Sequence, residues 1–160
     1  MKKISKKSEG LDLKGRVELI AKHTKTGEVR IVETPNLRVT VGKTWLLNYL
    51  VNKSGYDNGF TWCALGSNDT APAIGQTTLV AEEIRKTITQ KDPIDSGAEI
   101  TLATFFPAAD ATFAIKEGAI FGHDASATPN SGIIWSRWLA SFDNTGGTWD
   151  ITVNYSLEVL

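Results

Sequence analysis

The sequence predicts a mainly β domain with a single α-helix over about residues 41–53. Apolar and polar residues alternate with period two in many short runs. Clusters of Gly, Pro, Asn and Asp punctuate those runs every eight to twelve residues, the signature of a sandwich or barrel. One segment, following Thr40, carries its large apolar residues at helical spacing instead. At 160 residues, 41% apolar and 22% charged, the chain fits one ordinary domain that needs no disulfide or metal to fold.

Residues 1–14 carry only Ile4, Leu11 and Leu13 as large apolar side chains beyond Met1. That burial is too small to offset the entropy of ordering, so they read as a flexible arm ahead of a single domain over 15–160. Val17, Leu19 and Ala21 alternate with polar neighbours, Thr26-Gly27 turns the chain, and Val29–Glu33 returns as the second strand of a hairpin. Pro35-Asn36 reads as a break and Leu37–Val39 as a short extended piece. Thr40 is the expected helix cap, and Val41, Trp45, Tyr49 and Asn52, widened by Leu46 and Leu50, form the apolar stripe.

Phe60–Leu65 reads as a buried strand, 66–76 as a loop, and 84–90 as an alternating strand before turn signals at 92–97. Ile100–Phe106 follows as a strand. Phe113–Lys116 and Ala119–Phe121 read as two strands split by Gly118, with a polar loop over 123–132. Ile133–Phe142 and Trp149–Leu160 are expected to pair as a hairpin across Asp143–Gly147. The last run places Ile151, Val153, Tyr155, Leu157 and Val159 on one face, as expected of a strand inside a sheet.

Charge is unevenly spread. Residues 1–16 carry Lys2, Lys3, Lys6, Lys7, Lys14 and Arg16 against two carboxylates, a balance of +4, whereas the remainder is −5. A cationic arm on an acidic body suits docking on an acidic protein neighbour, and the body opposes broad duplex binding, so no specific nucleic-acid partner is expected. No run of 18 apolar residues occurs, so no membrane-spanning helix is expected. The N-terminal lysines lack an apolar run after them, which points to a cytosolic origin rather than export.

Chemistry-bearing motifs are sparse. Gly42-Lys43-Thr44 matches the end of a phosphate loop, but the required upstream glycine is Leu37. His23 and His123 lack ligand-spaced partners, a His123-Asp124 pair being the remaining metal candidate. Cys63 beside Trp62 reads as an inert core thiol, and Glu82-Glu83 as solvated charges. No nucleophile elbow occurs. The expectation is therefore no enzyme, metal or cofactor. Trp135 and Trp138 lie three apart on a strand, which places them on opposite faces, so one of them is expected either beneath a second layer or at an interface. Arg137, Trp149 and Tyr155 complete the candidate interface set.

The run Thr61–Pro72 (TWCALGSNDTAP) leads through Thr77-Thr78-Leu79 to Glu83-Ile84-Arg85-Lys86. It resembles an "ALG-x-G-x-TAP" loop followed by "T-x-L-x-x-E-x-x-R" in small virion proteins of tailed bacteriophages. Ala103–Phe106, Ala114–Phe121, Trp135–Trp138 and Trp149–Tyr155 resemble the same group, so the similarity spans about residues 28–160. The resemblance implies a β-sandwich or jelly-roll, a homo-oligomer (dimer or trimer), and a place in the virion. The leading expectation is a non-enzymatic capsid decoration (cement) protein bound to the major capsid protein or other virion proteins. A tail, baseplate or fibre subunit is the first alternative. From the tryptophans alone, a carbohydrate-binding β-sandwich module is the second.

Overall fold

A computed structural model describes residues 12–93 and 98–160. These form nine strands and one helix, so the mainly β expectation holds. The strands are β1 (Leu13–His23), β2 (Val29–Arg38), β3 (Phe60–Gly66), β4 (Glu82–Thr87), β5 (Gln90–Pro93), β6 (Glu99–Phe106), β7 (Ala114–Gly122), β8 (Ile133–Asp143) and β9 (Trp149–Val159). Helix α1 (Thr40–Leu50) joins β2 to β3.

All pairings are antiparallel in one curled sheet of order β4-β3-β7-β8-β2-β1-β9-β6-β5. The curl is placed by β2. Its Val29–Pro35 stretch pairs with β1, and its Asn36–Arg38 stretch pairs with β8. Pro35-Asn36 is therefore the point where one strand passes between half-sheets rather than a break. At the other margin Ile88 N–H donates to Thr61 O (2.9 Å) and Thr89 N–H to Ala103 O (3.2 Å), carrying the chain back across. The two halves enclose one core, with Val17 and Leu19 of β1, Tyr155 of β9 and Phe106 of β6 meeting Cys63 of β3, Ile120 of β7 and Trp138 of β8.

Several local expectations are corrected. Strand β1 begins at Leu13, so Lys14 and Arg16 are strand residues pairing with Glu158 and Ser156 of β9. Lys2, Lys3, Lys6 and Lys7 lie outside the described residues. The 113–121 region is one strand, not two. Gly118 sits mid-strand because the Trp138 indole occupies the space of a side chain, 2.5 Å from an added Cβ. The final two strands do not form a hairpin: β8 pairs with β7 and β2, β9 with β1 and β6. The link between them crosses from one half-sheet to the other around the buried side chain of Asn144. Its Nδ2 donates to Ala111 O and Trp149 O (both 2.9 Å), and its Oδ1 accepts from Thr148 and Trp149 N–H (3.2 and 3.0 Å). As expected, β9 lies inside the sheet.

Candidate docking site

The outer face of β3, β7 and β8 is covered by the loops over 67–81 and 123–132. A small apolar layer of Ala64, Leu79, Ala119, Phe121 and Ile134 lies beneath them. Two buried ion pairs hold the covers down. The Glu117 carboxylate accepts from Arg137 Nε (2.8 Å), Ala81 N–H (2.7 Å) and Val80 N–H (3.2 Å). Arg137 Nη1 donates to Gln76 Oε1 (3.2 Å), which ties in the loop tip. The second pair joins Arg85 to both oxygens of Glu82 (2.5 and 2.9 Å). Arg85 Nη1 also reaches Ser126 O and Ser131, and its guanidinium stacks 4.5 Å over Phe121. Glu82 is thus a buried anchor, not a solvated charge, because backbone N–H of Asn130 and the Arg85 fork replace its water. Glu83 lies on the exposed side and accepts from Ser67 Oγ.

Leu79, Arg85 and Arg137 of the resemblance segments lie in this cover, whereas Ala103–Phe106 and Trp149–Tyr155 lie on β6 and β9 of the other half-sheet. The Glu117–Arg137 and Glu82–Arg85 pairs are shut away from solvent, with side-chain exposures of 0%/0% and 1%/3%. Among the described residues no three His, Cys, Asp or Glu side chains converge as metal ligands. His123 stands 3.9 Å from Asp124 and stacks beside Tyr56. Burial pushes the Cys63 thiol far up, which keeps it protonated and unreactive.

The five proposed interface side chains are buried, the four aromatic ones in the shared interior and Arg137 beneath the loops of the outer face. Trp135, Arg137, Trp138 and Tyr155 have no exposure and Trp149 is 8% exposed. Trp135 and Trp138 share the interior because a register shift falls between them. Trp138 pairs with Gly118, Ser136 with Ile120, and then Ile134 with Phe121, so Trp135 occupies a bulge that resets the alternation. Tyr155 OH accepts from Trp135 Nε1 (2.7 Å) and Asn36 Nδ2 (2.9 Å), linking the half-sheets. Burial raises the Tyr155 phenol. Trp45 is also buried and Trp62 is half-buried, so no tryptophan offers an open stacking platform and the carbohydrate-module alternative loses its physical basis.

Comparison with protein-family models, with curated proteins and with solved structures found no match to this chain.

Sequence reading missed the outer ridge of α1. Thr40 is the first helical residue rather than the cap. Val39 holds the cap position without a side-chain bond, and Thr40 N–H donates to Ile74 O (2.8 Å). The helix is held to β8 by Gly42 and Trp45. A Cβ at Gly42 would lie 2.6 Å from Trp135 O, so only glycine permits this approach. Trp45 packs edge-on against Phe60 (5.1 Å) and Trp135 (6.5 Å). That narrow attachment leaves Leu47 (65%), Leu50 (59%) and Val51 (72%) exposed; of the predicted stripe, Val41, Trp45 and Leu46 face the core, while Tyr49, Leu50 and Asn52 face solvent.

Beside this ridge runs a cleft floored by Leu13, Leu46, Leu47 and Leu50 and edged by Asp12, Arg38 and Lys43. The described residues start at its rim with Asp12, and Lys2, Lys3, Lys6 and Lys7 lie outside them. The exposed apolar ridge is a signal for contact, and neither composition nor periodicity separates it from a core stripe.

Proposed function

We propose that the chain is a non-enzymatic structural subunit of a tailed-bacteriophage particle, a capsid decoration protein that docks on the major capsid protein. The observation that carries this reading is the ridge of Leu47, Leu50 and Val51, solvent-exposed yet held on a helix fixed by Gly42 and Trp45. A fixed ridge loses little conformational entropy on docking, and its burial stabilises at about 25 cal/mol per Å² before association costs. Arg38 and Lys43 at the rim, with the lysines of the arm, suit an acidic shell surface and set register and encounter rate. The resemblance of residues 61–86 and 135–155 to virion accessory proteins supplies the particle.

The test is cosedimentation of the full chain with emptied shells of its phage. Wild type binds saturably. Leu47→Glu/Leu50→Glu, at two exposed positions, weakens binding by about 100-fold, the effect of two hot-spot losses. Deletion of residues 2–11, which leaves β1 whole, weakens it less, through lost avidity. Equal binding by wild type and the double variant would remove the ridge from the account.

A further inference from the structure

The chain holds eight asparagines, and Asn58 alone is followed by glycine. We propose that Asn58-Gly59 is a self-modification site: the folded chain closes a succinimide there, opens it to isoaspartate or aspartate, and so loosens the seat of α1.

This chemistry makes three demands. The asparagine side chain must be free to swing onto the next backbone nitrogen. That nitrogen must not be held in a hydrogen bond. The residue that carries it must bring no side chain into the approach, a demand only glycine meets in full. All three are met between α1 and β3. Asn58 is exposed in an irregular stretch, and its side chain makes no hydrogen bond among the described residues. The Gly59 N–H donates to no group among the described residues, and a Cβ built on Gly59 meets no atom within 4 Å.

Other asparagines are restrained. The Asn144 amide is buried and held by four hydrogen bonds. Asn130 Oδ1 accepts from Leu79 N–H (3.0 Å), and the Ser131 nitrogen after it is held by Thr128 O (3.1 Å). Asn68 Oδ1 accepts from Thr70 N–H (2.8 Å), and the residue after it is Asp69.

The reaction needs only water. The Gly59 nitrogen gives its proton to solvent and attacks Asn58 Cγ. A new N–Cγ bond forms, the Cγ–Nδ2 bond breaks, and Nδ2 leaves as ammonia. One water then opens the five-membered ring. Attack at the main-chain carbonyl of residue 58 breaks its bond to nitrogen and gives isoaspartate; attack at Cγ gives aspartate. Either way a neutral amide becomes a carboxylate beside Asp57.

The position gives the change a consequence. On one side of the site Tyr56 stacks on His123 (4.9 Å), and on the other Phe60 enters β3 opposite Gly122. Phe60 packs against Trp45 (5.1 Å) and Trp135 (5.5 Å), the aromatic cluster that holds α1 to the sheet. Isoaspartate lengthens the main chain by one carbon just before Phe60, which displaces that ring from its cluster. The effect on the helix is the same whatever α1 contacts, so it stands apart from the docking reading.

Peptide mapping of the full chain after weeks at neutral pH tests this. Residue 58 is expected to gain about one dalton before any other asparagine, and isoaspartyl methyltransferase, which methylates isoaspartate carboxylates, labels the product. Conversion in the native chain keeps pace with that in the urea-unfolded chain, because no contact restrains the site. Gly59→Ala, for which the structure has room, slows conversion about tenfold or more while circular dichroism shows the fold unchanged. In the converted fraction, amide exchange in α1 is about fivefold faster and that of β1 and β9 is unchanged. Asn58 intact in the native chain while it converts in urea, earlier conversion elsewhere, equal rates for wild type and Gly59→Ala, or unaltered α1 exchange overturns the proposal.

Discussion

The two outer faces of this curled sheet are built from the same alternating strands and end differently. On β3, β7 and β8 the outward side chains are Glu117, Arg137, Ala119 and Phe121, and two loops bury them. On β1, β9 and β6 the outward side chains are Arg16, Glu18, Ile20, Thr152 and Phe105, and no comparable loop among the described residues covers them. The difference shows what charge does in each setting. Under the loops a carboxylate and a guanidinium act as fasteners, strong because both side chains are fully buried and bonded to each other and to the loops. On the open face similar groups are screened and cheap to lose.

Breaking a fastener is the severest test of this contrast. Arg137→Ala leaves the Glu117 carboxylate buried without its cation, which costs about 3–5 kcal/mol of folding stability in urea unfolding. Arg16→Ala on the open face, where the pair with Glu18 is solvated, changes it by no more than about 0.5 kcal/mol. Similar losses for both would erase the distinction between the faces.

A milder break is Asn130→Ala. Asn130 adopts a left-handed backbone (φ 56°), and its Oδ1 accepts from Leu79 N–H (3.0 Å). Losing that acceptor and the tolerance for left-handed φ costs about 1–2 kcal/mol and loosens both loops together. Hydrogen exchange reads this as faster exchange at 79–81 and 126–131, with β1 and β9 unchanged.

The smallest effect separates the shared interior from both faces. The Tyr155 phenol is raised above its ordinary 10.0 by burial. The unfolded chain therefore releases this proton first as pH climbs. Its contribution to stability is complete below about pH 10 and declines as pH rises toward the folded value. Tyr155→Phe flattens that alkaline decline while losing about 1 kcal/mol at neutral pH from the bonds to Trp135 and Asn36.

What the sequence discloses follows from the range of the forces involved. Strand periodicity and turn chemistry are local, so β1, β3, β6 and β9 are legible from Val17–Ala21, Phe60–Leu65, Ile100–Phe106 and Ile151–Val159. Partner choice is not local. Asp143–Gly147 carries every mark of a hairpin turn, yet the buried Asn144 side chain makes it a crossing. The bulge at Trp135 is equally silent in sequence, and it reverses the facing of every residue before it. This is why Trp135, Trp138, Arg137, Trp149 and Tyr155 look like surface anchors in one dimension and are core in three. The α1 ridge was hidden for the converse reason. Its stripe is real, but Gly42 and Trp45 occupy the contact with β8 and leave Leu47, Leu50 and Val51 outward.

The central claim is that this chain works by contact with a shell through α1. Cryo-electron microscopy of the native particle reads this directly. The account predicts density for the chain on the outside of the head, with Leu47 and Leu50 against the capsid lattice. Density on the tail alone, or a head-bound subunit with α1 turned toward solvent, would contradict it.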